Sequence, residues 1–222
     1  MPKQKVNEDP RISINKISEY LVANPSRRKK IIYDQKYPQE FIVKRYNEAR
    51  SSICDYFVKN NDFEVIMDKM NELNERKPKS DWESQDIKLS LEALDYFIDM
   101  VDDLDLNYDK IDHGAKYNQQ YEVSGVKISV NPDLVVFKDD RIGGINFAFS
   151  KNYTLSREAS EYHTSLLWKF LEETQNLKPL NRLCVVIDIF SNSYKSAPRA
   201  YKQRMQHIED ACFEISRAWN EL

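Results

Sequence analysis

"NPDLVVFKDDRIGGINFAFSK", residues 131–151, decides how this chain folds. It holds two runs of strand character joined by a turn. "DLVVFKDD" is rich in β-branched residues, and "GINFAFS" alternates with the period of two that sends successive side chains to opposite faces. "DDRIGG" is expected to supply the turn. Upstream, "YEVSGVKISV" (121–130) reads as a further strand, and "NYDKIDHGAKYNQQ" (107–120) reads as a loop around Gly114. Downstream, "SREASEYHTSLLWKFLEET" (156–174) reads as a helix capped by Ser156. "RLCVVIDIF" (182–190) is a continuous apolar run, as in a central strand covered on both faces. "APRAYKQRMQHIEDACFEISRAWNEL" closes the chain as a helix from about Pro198. The second half therefore runs β-β-β-α-β-α.

The first half reads as helical, after a loose tail over residues 1–12. "SINKISEYLVAN" (13–24) spaces Ile14, Ile17, Tyr20 and Leu21 as a helix does, with Ser13 as N-cap. Pro25 opens a second helix that ends before Pro38. In "PQEFIVKRYNEARSSICDYFVKN" (38–60), Phe41, Ile42, Tyr46, Ala49, Ile53, Tyr56 and Phe57 fall on one stripe. "DFEVIMDKMNELNER" (62–76) carries another. After a polar linker, Ser80 or Asp81 caps a long helix over 81–104. The organisation expected is a helical N-terminal region (1–80) and an α/β core (81–222), packed as one unit. The fold class is mixed α/β (α+β), with an α-β-β-β-α-β core around a mixed sheet.

Composition narrows the class. The 222 residues are 41% hydrophobic and 12% aromatic, enough for a core and against wholesale disorder. The net charge of −3 does not announce a nucleic-acid binder. Its distribution says more. Residues 24–50 hold eight bases against three acids, and residues 61–112 hold sixteen acids against six bases. This predicts a basic and an acidic face, or two faces that attract one another. Cys54, Cys184 and Cys212 are far apart and form no CxxC pair, so buried thiols in a reducing cytosol are expected. No signal peptide or membrane span is read, which makes the expected location cytoplasmic.

Pro132-Asp133 at the start of one strand, Lys151 at the end of the next, and the order α-β-β-β-α-β resemble the PD-(D/E)XK nuclease superfamily over roughly residues 85–190. The resemblance implies a restriction-endonuclease-like core acting on DNA or RNA in phage, mobile-element or defence biology. It implies Mg²⁺ bound by Asp133 and a second acid, with Lys151 assisting the attacking water. Such a site works because a hard dication takes carboxylate oxygens, acidifies its water and stabilises phosphate charge. A lysine adds positive charge where the transition state is negative. This sequence departs from the pattern: Phe149 stands where the second acid belongs. A migrated acid is sought on the next helix, at Glu158 or Glu161, or on the preceding one, at Glu92 or Asp95. "EASEY" gives Glu158-x-x-x-Tyr162, which resembles the Gln-x-x-x-Tyr of the RecB-like branch and implies that Tyr162 positions nucleic acid or the lysine.

Three further features stand beside this. "PSRRKKIIYDQKYP" places Arg27, Arg28, Lys29, Lys30 and Lys36 near Tyr33 and Tyr37, a pattern that neutralises phosphates and stacks bases. Alternatively the run docks on the acidic helices. Asp188 lies inside an apolar strand. His113, His163 and His207 are scattered, without zinc spacing. The second functional class is a non-catalytic adaptor with a protein partner, using its long helices as the contact surface. The sequence does not fix the oligomeric state.

Overall fold

The computed structural model describes residues 6–38, 45–104, 108–149, 151 and 155–222. Among these residues the chain opens with β1 (Arg11–Ser13), α1 (Ile14–Val22), α2 (Pro25–Lys36), α3 (Asn47–Val58), α4 (Glu64–Glu75) and α5 (Asp81–Val101). It continues with β2 (Lys110–His113), β3 (Tyr121–Val123), β4 (Val126–Ser129), β5 (Leu134–Lys138) and β6 (Arg141–Ala148). It closes with α6 (Arg157–Thr174), β7 (Lys178–Asp188), β8 (Ser193–Ser196) and α7 (Tyr201–Glu221). The fold is mixed α/β, with a five-stranded sheet in the order β2-β5-β6-β7-β8 and a three-stranded sheet in the order β1-β4-β3. In the larger sheet only β6 and β7 run parallel, and α6 connects them.

The polar residues expected to start helices do so. Ser13, Ser80 and Ser156 accept from Lys16, Glu83 and Ala159 N–H; the helix opened by Pro25 has in addition a cap that was not expected, Asn24, which accepts from Arg27 N–H. Each satisfies a donor that the first helical turn leaves free.

Several expectations need correction. The start of the chain is not all loose tail, because β1 pairs in parallel with β4. Residues 110–113, read as loop, form an edge strand of the main sheet. Residues 121–130 are two strands, because Ser124 and Gly125 both take positive φ (49° and 79°) and turn the chain back on itself. The turn between β5 and β6 is only Asp139-Asp140, with Asp139 at φ 51°. Gly143 and Gly144 lie inside β6, where the register with β7 shifts. A Cβ on Gly143 would come within 2.2 Å of the Leu183 carbonyl oxygen, so the close approach of β7 requires glycine. The helix read over 38–60 is described from Asn47. Residues 39–44, including Phe41 and Ile42, lie outside the described residues, as does Ser150.

The main sheet is covered on both faces. Val135 and Cys184 join a core with Ile17, Ile31, Leu167 and Ile215. Their neighbours Val136 and Val185 join the opposite core, with Ile53, Leu73, Phe97 and Phe147. That alternation is the strand period made visible. It places α1, α2, α6 and α7 on one face and α3, α4 and α5 on the other. The basic helix α2 is thus not docked on the acidic helices. Its partners among the described residues include Glu19, Glu214, its own Asp34, the carbonyls of Leu21 and Ala23, and the Trp219 carbonyl. All three cysteines are free and buried. Among the described residues no helix is long and apolar enough to cross a membrane.

Candidate functional site

Asp133 sits just before β5, held by its own backbone. Its N–H donates to the Ile145 carbonyl at 2.8 Å, and its carbonyl accepts from Gly114 N–H at 2.9 Å. Gly114 has to be glycine, since a Cβ there would lie 1.8 Å from the Pro132 oxygen. The carboxylate, only 11% exposed, is thereby fixed at the end of the β5–β6 pair. It accepts Phe147 N–H at 2.7 Å, and Arg50 Nη1 donates to its two oxygens at 2.7 and 2.6 Å. Arg50 comes from α3, 83 residues away in sequence. Its guanidinium carbon lies 4.8 Å from the centre of the Phe149 ring. A cation sits against the carboxylate, with the aromatic face of Phe149 against the cation.

The other sequence-derived residues have different partners. Lys151 pairs with Glu92 and stands 5.2 Å from the centre of the Phe190 ring. Tyr162 O–H lies 3.4 Å from Glu158 Oε1 and 2.9 Å from His207 Nδ1, and Arg204 covers its ring at 5.0 Å. Burial raises the Tyr162 hydroxyl above its ordinary value, with the Glu158 charge acting in the same direction. Glu161 is bound by Arg157 and Arg204. Tyr162 and Glu161 are therefore engaged with α7. Arg28 donates to the Leu21 and Ala23 carbonyls at the end of α1, Lys30 pairs with Asp34 and Lys29 is exposed.

Mg²⁺ requires several oxygen ligands in near-octahedral array. Asp133 is held by Arg50, Glu92 by Lys151, and Glu158 accepts from Tyr162. Among the described residues no three His, Cys, Asp or Glu side chains come together to hold a metal. The residues present do not fit the ion that the resemblance implies.

Arg50 also separates two clefts. One, of about 480 Å³, is lined by Glu48, Ser51, Cys54, His113 and Asp133. The other, of about 370 Å³, is lined by Lys16, Arg27, Arg50 and Glu19 around Phe147, Ala148 and Phe149. Burial pushes the Glu19 carboxyl up, but hydrogen bonds from Lys16 and Arg27 outweigh it and hold the group below the ordinary carboxylate range. Three cations therefore face one acid here. Of the basic run on α2, only Arg27 lines this cleft.

Three buried polar residues complete the site's surroundings. His163 Nε2 lies 3.1 Å from Asn146 Oδ1, whose amide nitrogen donates to the Asn131 carbonyl at 2.8 Å. Asn146 is thus held from both sides beside Asp133. Full burial pushes the His163 imidazole down to about 3, so it is neutral and structural. Asp188, 4% exposed, accepts Leu155 N–H at 3.3 Å and ties β7 to the approach of α6.

Arg50 belongs in the sequence to the basic stretch 24–50, and nothing local ties it to Asp133 83 residues away. Lys16 and Glu19 carry only the spacing of a helix. No protein-family model matches the chain, and no curated protein matches its sequence.

Proposed function

We propose that the protein binds nucleic acid on a restriction-endonuclease-like core whose metal site has been replaced by an ion pair, and that it grips without cutting. One observation carries this: Arg50 occupies the Asp133 carboxylate. The element order α5, β2, β5, β6, α6, β7 supports the core assignment, with the β3–β4 hairpin as an insertion between its first two strands. Both contacts to Asp133 come from Nη1, which among the described residues leaves Nε and Nη2 to donate to a phosphate. Lys16 and Arg27 stand beside it in the same cleft. Arginine suits this role because its planar fork matches phosphate oxygens.

The test is titration of labelled single- and double-stranded DNA and RNA across a salt series, with Mg²⁺- and Mn²⁺-dependent cleavage read in parallel. Wild type should bind, should weaken steeply with salt and should leave the substrates intact. Lys16→Gln/Arg27→Gln should bind about tenfold more weakly, with a salt slope lower by about 1–2. Metal-dependent cleavage lost in Asp133→Ala would overturn the replaced-site reading. Absence of binding at low salt would overturn the nucleic-acid reading. It would favour the adaptor instead, for which Met67 on α4 and Phe63 just before that helix are exposed.

A further inference from the structure

Past the cleft, the ends of β6 and β7 carry a continuous run of rings. Phe149 lies between the Arg50 guanidinium and Tyr46, stacked at 5.4 Å and 17°. Tyr46 meets Phe190 edge-on at 5.6 Å, and Phe190 meets Tyr96 at 5.3 Å. The first three rings are half-buried, whereas Tyr96 is 42% exposed. Lys151 stands over Phe190. The rings come from four separate places: the start of α3, the end of β6, the end of β7 and α5. Tyr46 also has φ 67°, a left-handed backbone that an aromatic residue seldom adopts. Its N–H is held by Asp86 Oδ1 at 3.1 Å. Strain of this kind persists where the surroundings over-determine it, and it collects at ligand sites.

We infer that this ledge stacks the exposed bases of a single-stranded nucleic acid, with Tyr96 as its outer platform and Arg50 leading the backbone into the cationic cleft. The inference rests on the nucleic-acid reading above and names its substrate class. Charge does not distinguish the ledge, because Glu92 balances Lys151 and Asp86 lies beside Tyr46. What it offers is the exposed ring of Tyr96, backed by Phe190 and the rings behind it. A duplex keeps its base faces stacked inside and gains little from rings, whereas a single strand presents a π-face at every base.

The experiment compares a short labelled oligonucleotide as a single strand and as a duplex, by fluorescence anisotropy at fixed salt. It uses wild type, Tyr96→Ala and Tyr96→Phe. Tyr96 is at the surface, and a thermal melt verifies that each variant is folded. The single strand should bind more tightly than the duplex. Tyr96→Ala should weaken single-strand binding about tenfold and leave both duplex binding and the salt slope unchanged, and Tyr96→Phe should restore it. Equal binding of the two forms, or no effect of Tyr96→Ala, overturns the ledge while the cationic cleft stands. No binding of either form by wild type overturns the cleft reading as well.

Discussion

At Asp133 the chain holds a nearly buried carboxylate against a guanidinium that is itself 33% exposed. Removing one partner of such a pair strands the other charge, whereas removing both costs much less. Arg50→Met is therefore expected to destabilise the protein by about 2–3 kcal/mol. Arg50→Met/Asp133→Asn should recover much of that loss, as read in a double-mutant cycle of urea unfolding. Additive losses would mean that the pair is incidental. His163 makes stability depend on pH. Its folded value of about 3 lies below the roughly 6.5 of an unfolded histidine, so between them the unfolded chain binds the extra proton. Its contribution is fully present above about pH 6.5 and is lost as pH falls toward 3, with a slope approaching about 1.4 kcal/mol per pH unit. His163→Gln should flatten the stability profile across that window, and an unchanged profile would place the acid sensitivity elsewhere. Neither role was legible in the sequence. The Arg50–Asp133 pair spans 83 residues, and helical spacing at His163 does not reveal that its face is covered by the sheet.

At the scale of elements, legibility followed the strength of local signals. Helices with an apolar stripe and a polar cap, such as α5 and α6, were readable from periodicity and Ser80 or Ser156. The central strands β5, β6 and β7 were readable from β-branched runs. The missed strands are short edge pieces: "RIS", "KIDH" and "SYKS". Half-exposed or polar residues serve there because one side of each strand has no neighbour. The β3–β4 hairpin is hidden because Ser124-Gly125 sits inside a β-branched run, although that pair supplies the two positive-φ positions of a tight turn. Gly143 tests the element scale directly. Adding a methyl group there drives it into the backbone of Leu183 in a central strand, which cannot move aside as a flexible side chain would. Gly143→Ala is expected to cost more than about 3 kcal/mol and to lower the melting temperature by roughly 10 °C. A near-neutral result would show that the β6–β7 bulge relaxes freely and does not fix the end of β6 that carries Phe149.

Across the whole molecule, one sheet serves two cores, and α1–α4 are divided between them rather than standing apart. The site lies where the two sets of helices meet the same end of the central strands β5 and β6: Arg50 arrives from one face, while Lys16 and Arg27 arrive from the other. Its geometry therefore depends on both cores being formed at once. Trp219 gives a way to test this. It is 1% exposed in the core shared by α1, α2, α6 and α7. Its indole N–H lies 3.2 Å from the carbonyls of Asn7 and Glu8, and its own carbonyl accepts from Lys36. Trp219→Ala is expected to cost about 3–5 kcal/mol through the cavity and the lost contacts. Because the sheet transmits the loss, hydrogen exchange should accelerate on the opposite face as well, at the α3 and α5 amides, by a comparable free energy. The melt should remain a single transition. If α3 and α5 keep wild-type protection while α7 opens, the two cores are independent units. A site built across them would then need its ligand to bring Arg50 and Arg27 together.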